Sequence, residues 1–128
     1  MRMEIETRLS DEIARYVDLA ASEAKLTAAN MANIDTPGYR TVGMDFEAEM
    51  RAALTGPGTG TGKAGDGLAQ RPVRVLDVDG LIARPDGNNV SMDRESLNLA
   101  EAQLKFKTGV ALLRQDYQRV MDAIHADK

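Results

Sequence analysis

Two long apolar-periodic segments, separated by a Gly- and Pro-rich middle, constrain the fold of this 128-residue chain more than any other feature. In both segments apolar residues recur at alternating steps of three and four, which is the spacing of a coiled-coil seam. The first seam consists of Ile13, Val17, Ala20, Ala24, Thr27, Met31 and Ile34. The second, with a wider gap at Gln103, consists of Leu99, Phe106, Val110, Leu113, Tyr117, Val120 and Ile124. The chain is therefore predicted to be mainly α, with long N- and C-terminal helices paired as an antiparallel coiled coil.

The expected ends of these helices follow from capping residues. Ser10 is a favourable N-cap for the first helix, because two acidic residues come next and face the positive end of the helix dipole. Residues 1–9 are polar and are expected to fray. Ser91 or Asp93 is the expected cap of the last helix, which reaches residue 125. The last helix is thus predicted to be the longer one.

A second apolar stripe on the last helix predicts assembly. Leu97, Ala100, Leu104 and Ala111 widen its apolar face, and a partner helix of the N-terminal length cannot cover both stripes. Alanines make the first helix slim, so neighbouring helices can approach it closely. We expect copies of the chain to cover the remaining apolar surface. The predicted assembly interface is Ile13, Val17, Ala24, Met31, Leu99, Phe106, Val110, Leu113, Tyr117 and Val120.

The first helix is predicted to stop within the string Asn30-Met-Ala-Asn-Ile-Asp-Thr-Pro-Gly-Tyr39. Asn is favourable at a helix end, where its amide can bond to free carbonyls. Pro37 ends the helical pattern, and with Gly38 it predicts a type II turn over residues 36–39. The residues proposed to form this turn and its helix end are Asn30, Asn33, Thr36, Pro37, Gly38 and Tyr39.

The middle of the chain is expected to be a flexible segment with a short β-hairpin. Residues 55–67 are rich in Gly and Thr and predict a linker. Partial alternation of apolar and polar residues across residues 71–84 predicts two strands joined by an Asp79-Gly80 turn. Residues 41–50 fit either an irregular segment or a further helical turn. The predicted organisation is one domain formed by residues 1–46 and 91–128, joined by the flexible middle 47–90.

Composition and motifs argue against an enzyme, a metal-binding protein or a nucleic-acid-binding protein. The chain has no Cys and a net charge of −4 without a basic cluster, which excludes thiolate metal sites and disfavours nucleic-acid binding. Gly60-x-Gly62-x-x-Gly65 follows no predicted strand and opens no helix, so it is not a dinucleotide site. The single His125 has no nucleophile and acid arranged around it in the sequence. We expect no enzyme activity, no cofactor, no metal and no small-molecule substrate.

The string from Asn30 to Tyr39 resembles the N-terminal signature of the flagellar axial proteins, the family of rod, hook and hook-associated subunits. Met44-Asp-Phe46 follows it, and Asp86-Gly-Asn-Asn-Val90 leads into the last helix; both resemble proximal rod proteins of that family. The resemblance covers residues 11–46 and 86–125. It implies a structural subunit whose terminal helices pair in the inner layer of a tube and polymerise into the drive shaft of the motor.

The resemblance also implies a location and partners. The N-terminal sequence has no apolar signal-peptide core, so composition alone predicts a cytoplasmic protein. Rod proteins instead leave the cytoplasm through the flagellar type III export apparatus without a cleaved signal, and lie in the basal body within the periplasmic space. The implied partners are copies of the chain and other rod and basal-body proteins. The alternative is a cytoplasmic coiled-coil adaptor or type III export chaperone.

Overall fold

The computed structural model describes residues 2–55 and 72–126 as three helices and one two-stranded sheet. Their order is α1 (Arg2–Ala32), β1 (Val42–Gly43), α2 (Phe46–Thr55), β2 (Leu76–Asp77) and α3 (Met92–Ala126). The prediction of a mainly α fold with long N- and C-terminal helices is confirmed, since α1 has 31 residues and α3 has 35. Within the described ranges, no helix is both long and apolar enough to cross a membrane.

α1 and α3 pack along each other in opposite directions. The side chains that connect them are Ser10 with Asp116, Glu23 with Lys105, and Asn30 with Glu95. Residue numbers rise along α1 as they fall along α3. The chain reversal between the two helices is therefore bridged by the turn after α1, the short sheet and the loop before α3.

The two helices approach each other closely at Gly109. A Cβ atom at this position would lie 2.6 Å from Val17 Cγ2 and 3.0 Å from Tyr16 Cδ1. A mid-helix glycine costs about 1 kcal/mol relative to alanine, so close packing explains its presence here. The core around this contact is thin, and its buried apolar residues are Leu19, Ala20, Ala53, Val90 and Ala102.

The predicted start of the first helix is wrong. α1 begins at Arg2 rather than after Ser10, so Ser10 lies inside the helix and residues 2–9, which are expected to fray, are helical. Its hydroxyl donates a hydrogen bond to the buried Asp116 carboxylate on α3. The side chain therefore makes a contact between helices, which local capping preferences could not indicate.

α2 resolves the alternatives left for residues 41–50 in favour of a helix. Asp45 caps it, since its carboxylate accepts a hydrogen bond of 3.0 Å from the Ala48 amide. The Phe46 ring contacts Tyr16 edge-on, with ring centroids 5.3 Å apart, and Lys105 Nζ lies 4.1 Å from the same ring's centre. α2 thus covers one side of the α1–α3 pair.

The predicted hairpin within residues 71–84 is corrected by the strand pairing. β2 pairs antiparallel with β1, with Val42 opposite Asp77, and no described residue from 81 to 84 is in a strand. The Gly80 bend is present, with a φ of 80°, but the chain then runs towards the end of α1, where Arg84 donates to the Ile34 carbonyl. Of the predicted linker over residues 55–67, all but Thr55 lies outside the described residues.

Candidate functional site

Asn30 connects the end of α1 to both the sheet and α3. Its Nδ2 group donates to the Val42 carbonyl at 2.7 Å and to Glu95 Oε2 at 2.9 Å. Its Oδ1 atom accepts from the Val42 amide at 3.0 Å and from the Tyr39 hydroxyl at 3.1 Å. The Asn30 side chain therefore bonds to both the N–H and the C=O of Val42, as the backbone of a neighbouring strand would. Asn30 is only 1% exposed, so these bonds are shielded from water.

Glu95 supplies a buried carboxylate in the first turns of α3. It is 1% exposed, and Arg94 Nη1 lies 3.3 Å from its Oε1 atom. Burial raises the pKa of the Tyr39 hydroxyl above its usual value, and the negative charge of Glu95 raises it further. Tyr39 therefore stays a neutral hydrogen-bond donor to Asn30 at physiological pH.

The turn predicted over residues 36–39 is present. The Tyr39 amide donates to the Thr36 carbonyl at 3.2 Å, and Gly38 has a φ of 76°. Asn33 performs the predicted helix-end role, because its Nδ2 group donates to the Ala29 carbonyl at 2.8 Å. Its Oδ1 atom also accepts from the Thr36 hydroxyl at 3.1 Å. The turn is thus attached directly to the last turn of α1.

Asn88, in the loop before α3, holds this turn from the other side. Its Nδ2 group lies 2.9 to 3.0 Å from the carbonyl oxygens of Asn33, Ile34 and Thr36. Its Oδ1 atom accepts from the Val90 amide at 2.8 Å. Asn88 is fully buried, so one shielded side chain donates to three carbonyls of the segment that follows α1. The next residue, Asn89, accepts a hydrogen bond of 2.6 Å from the Thr41 amide.

Two glycines allow the loops to meet. The Gly38 amide donates to the Asp86 carbonyl at 2.9 Å, and a Cβ atom on Gly87 would lie 3.4 Å from Gly38 Cα. Gly87 also has a φ of 86°, which side-chain-bearing residues rarely adopt. We call the group formed by Asn30, Tyr39, Asn88, Asn89 and Glu95 the polar junction.

The predicted assembly residues divide by exposure. Phe106 and Tyr117 are exposed, with Tyr117 at 60%. The remaining eight are partly buried, and they are Ile13, Val17, Ala24, Met31, Leu99, Val110, Leu113 and Val120. Further large apolar side chains on α3 are exposed, namely Leu97, Leu104, Leu112, Met121 and Ile124.

Sequence reasoning missed three members of the polar junction, Asn88, Asn89 and Glu95. Glu95 was not singled out. The signal in the sequence that could have found it is an acidic residue four positions after the cap, on the side of α3 that faces another helix. Asn88 appeared only as part of the Asp86–Val90 string. Its contact with residues 33–36 spans more than fifty residues of chain, which no local pattern encodes.

The polar junction has the chemistry of a structural element. Its side-chain amides satisfy backbone groups and the Tyr39 hydroxyl donates to Asn30, and among the described residues no cluster of three His, Cys, Asp or Glu side chains could hold a metal ion. The arrangement fixes the direction in which the chain leaves α1 and enters α3. It therefore positions two long helices that carry exposed apolar residues.

The chain is similar to proteins of the bacterial flagellum. The flagellar basal body rod protein FlgB of Cereibacter sphaeroides is 33% identical over 118 residues, which cover 89% of this chain and 91% of that protein. FlgB of Salmonella typhimurium is 31% identical over 119 residues, covering 84% and 86% of the two chains. This chain belongs to the FlgB family. FlgB of Yersinia enterocolitica is 30% identical over 119 residues, covering 84% and 87%. No family model matches the chain.

Membership of the FlgB family confirms the resemblance drawn from residues 30–39 and from the loop before α3. It supports a structural subunit of the flagellar basal body rod, and the adaptor or chaperone alternative is not favoured. In a FlgB protein the polar junction and the exposed faces of α3 are features of a structural subunit.

Proposed function

We propose that the chain polymerises into the proximal rod through α1 and α3, which pair as an antiparallel coiled coil in the inner layer of a tube. The observation that carries this proposal is the amount of apolar side chain that α3 leaves in water. Tyr117 is 60% exposed, and Met121 and Ile124 are about half exposed on the same segment. Full burial of a large apolar side chain contributes about 1.5–3 kcal/mol, so covering the half that is still exposed would stabilise the assembly by about 1 kcal/mol for each side chain.

The coiled-coil part of the proposal rests on the seam residues. Val17 and Leu113 are partly buried, as expected for side chains that face the partner helix of the same chain while leaving some surface for another. Phe106 and Tyr117 are more exposed and belong to the surface proposed to meet neighbouring subunits. The predicted interface residues therefore have two roles in this proposal, inside one copy and between copies.

The polar junction has a supporting role in the proposed assembly. Asn30 and Asn88 fix the helix end and the turn, so the relative position of α1 and α3 is set within each subunit. A helical assembly repeats one contact geometry many times, and an angular error in the subunit would accumulate along it. We infer that the residues of the turn keep α1 and α3 in a fixed relative position, and that they take part in no enzymatic step.

The location and remaining partners are proposed from family membership. The chain would leave the cytoplasm through the flagellar type III export apparatus without a cleaved signal and assemble in the periplasmic space. Its partners would be copies of itself and other rod and basal-body proteins, without nucleic acid or a small-molecule substrate. The net charge of −4 and the absence of a basic cluster in the sequence agree with the exclusion of nucleic acid.

Substitution of an exposed apolar residue tests the function. Tyr117→Asp should abolish rod assembly and motility while the subunit is still secreted, because Tyr117 has little contact within its own chain. Gln115→Asp, at another exposed position two residues away, is the matched control and should assemble. The readouts are swimming, subunit in the periplasmic fraction, and subunit in purified basal bodies. Normal rods built from the Tyr117→Asp chain would contradict the proposal, and normal rods after deletion of the gene would favour the cytoplasmic alternative.

A further inference from the structure

One side of the α1–α3 pair carries an open apolar groove. It has a volume of about 430 Å³, and we call it the alanine groove; its lining residues are Ala20, Ala21, Ala24, Ala102, Gln103, Phe106 and Lys107. α2 and the sheet do not reach this side, since Phe46 packs on Tyr16 and Lys105 instead. Small side chains on both helices leave room here for large side chains from another molecule.

A second surface of α3 has the complementary shape. Leu97 and Leu104 are 61% and 67% exposed, and the exposed Ala100 lies between them. We call these three residues the Leu ridge. Leu104 and the groove residue Phe106 are two positions apart, which is about 200° around a helix with 3.6 residues per turn. The ridge and the groove therefore lie on different sides of the same helix.

The carboxylates beside the ridge are opposite in sign to the lysines that border the groove, and Lys107, three positions after Leu104, stands at the rim between the two surfaces. Lys107 lines the groove, and the exposed Lys25 follows Ala24 along α1. Beside the ridge, the exposed Asp93 precedes Leu97 by four residues, and Glu101 stands between Leu97 and Leu104. In the described part of the chain none of these four charged groups, Lys25, Asp93, Glu101 and Lys107, forms an ion pair.

We propose that the alanine groove of one copy receives the Leu ridge of a second copy of the same chain, with Glu101 of the incoming copy facing Lys107 of the receiving copy. Every copy carries both surfaces, so its groove can receive the ridge of one neighbour while its ridge enters the groove of another. Because the two surfaces differ, the contact is head-to-tail, and it does not close as a twofold dimer. Such a contact extends into a ring or a helical array. The inference rests on the proposed function and names its subunit contact.

Cysteine cross-linking in assembled rods tests this contact. The natural chain has no Cys, so an Ala21→Cys and Ala100→Cys pair reports only on the groove and the ridge. Both changes are small, and mild oxidation of purified basal bodies should then give dimers and higher multimers of the subunit. The matched control pairs Ala100→Cys with Ala52→Cys, an exposed alanine on α2, and should remain monomeric.

The outcomes separate the two proposals. Absence of the wild-type chain from basal bodies would overturn the rod function itself. Presence of the Ala21→Cys, Ala100→Cys chain without multimers, or equal multimers from the control pair, would overturn only the groove contact.

Reversal of charge adds a second readout to the same assay. Lys107→Glu should lower the multimer yield about fivefold, as expected for an exposed ion pair replaced by repulsion. Adding Glu101→Lys to Lys107→Glu should restore the yield. A yield unaffected by Lys107→Glu, or not restored by the double reversal, would show that the two charges do not face each other.

Discussion

Replacement of Asn30 by alanine should be far more damaging than the same replacement at Asn33. The two residues look equivalent in the sequence, since both end the same helix. Asn30, however, is 1% exposed and makes four hydrogen bonds, whereas the side-chain bonds of Asn33 lie at exposed positions. The comparison therefore isolates the contribution of burial and of tertiary partners from that of helix capping.

The expected size follows from the groups left behind. Asn30→Ala removes a donor to the buried Glu95 carboxylate and leaves the amide and carbonyl of Val42 without their partner. A lost bond to a charged group costs about 1.5–3 kcal/mol, and the unpaired peptide groups add about 1–2 kcal/mol, so the free energy of unfolding should fall by about 3–5 kcal/mol. Asn33→Ala should cost about 0.5–1.5 kcal/mol, because water can replace its bonds.

Urea unfolding of the purified full chain, followed by far-UV circular dichroism, measures both changes under one set of conditions. An Asn30→Ala chain that is already unfolded without urea, next to a folded Asn33→Ala chain, would agree with the expected order. Values for the two variants within about 1 kcal/mol of each other would refute the reasoning, since a typical exposed hydrogen bond contributes that much by itself. Asn30 would then be no more than a helix-end residue.

Two further predictions concern packing and pH. Gly109→Ala should lower the free energy of unfolding by about 1–3 kcal/mol despite the higher helix propensity of alanine, because its Cβ would lie 2.6 Å from Val17 Cγ2. Thr108→Ala, at an exposed position, is the control. A Gly109→Ala chain that is more stable than the natural chain in thermal unfolding would contradict the close approach of the two helices. The raised pKa of Tyr39 means that the unfolded chain loses the hydroxyl proton first, so stability should fall as pH rises above about 10. Tyr39→Phe should reduce that fall in urea unfolding at pH 9 and 11, and an unchanged pH dependence would mean that Tyr39 does not contribute.

The sequence was informative where structure depends on neighbouring residues. The turn over residues 36–39 followed from a proline that excludes a helix and a glycine that accepts a positive φ. Of the two caps predicted for α3, Ser91 and Asp93, the structure has Ser91, since its hydroxyl accepts from the Arg94 amide at 3.4 Å. The apolar spacing of three and four identified both long helices, because one face of each must leave water.

Prediction failed where a residue's partner lies far away in the chain. Ser10 looks like a cap, and only the nearby Asp116 of α3 explains why it lies inside a helix. The strand at Leu76–Asp77 was assigned to a local hairpin, although it pairs with Val42–Gly43. In both cases the competing local arrangement was reasonable, and a contact over more than thirty residues of chain decided the outcome.

Local spacing and a continuous motif were enough to predict the two long helices, the turn between residues 36 and 39, and the family, but not where α1 begins. Only the tertiary structure decided that Asn30 is buried against Glu95 while Asn33 stays near the surface, and that Asn88 holds the turn. It also decided which apolar side chains of α3 remain exposed. The physical reason is that burial depends on what covers a side chain, and those covering residues come from distant parts of the chain.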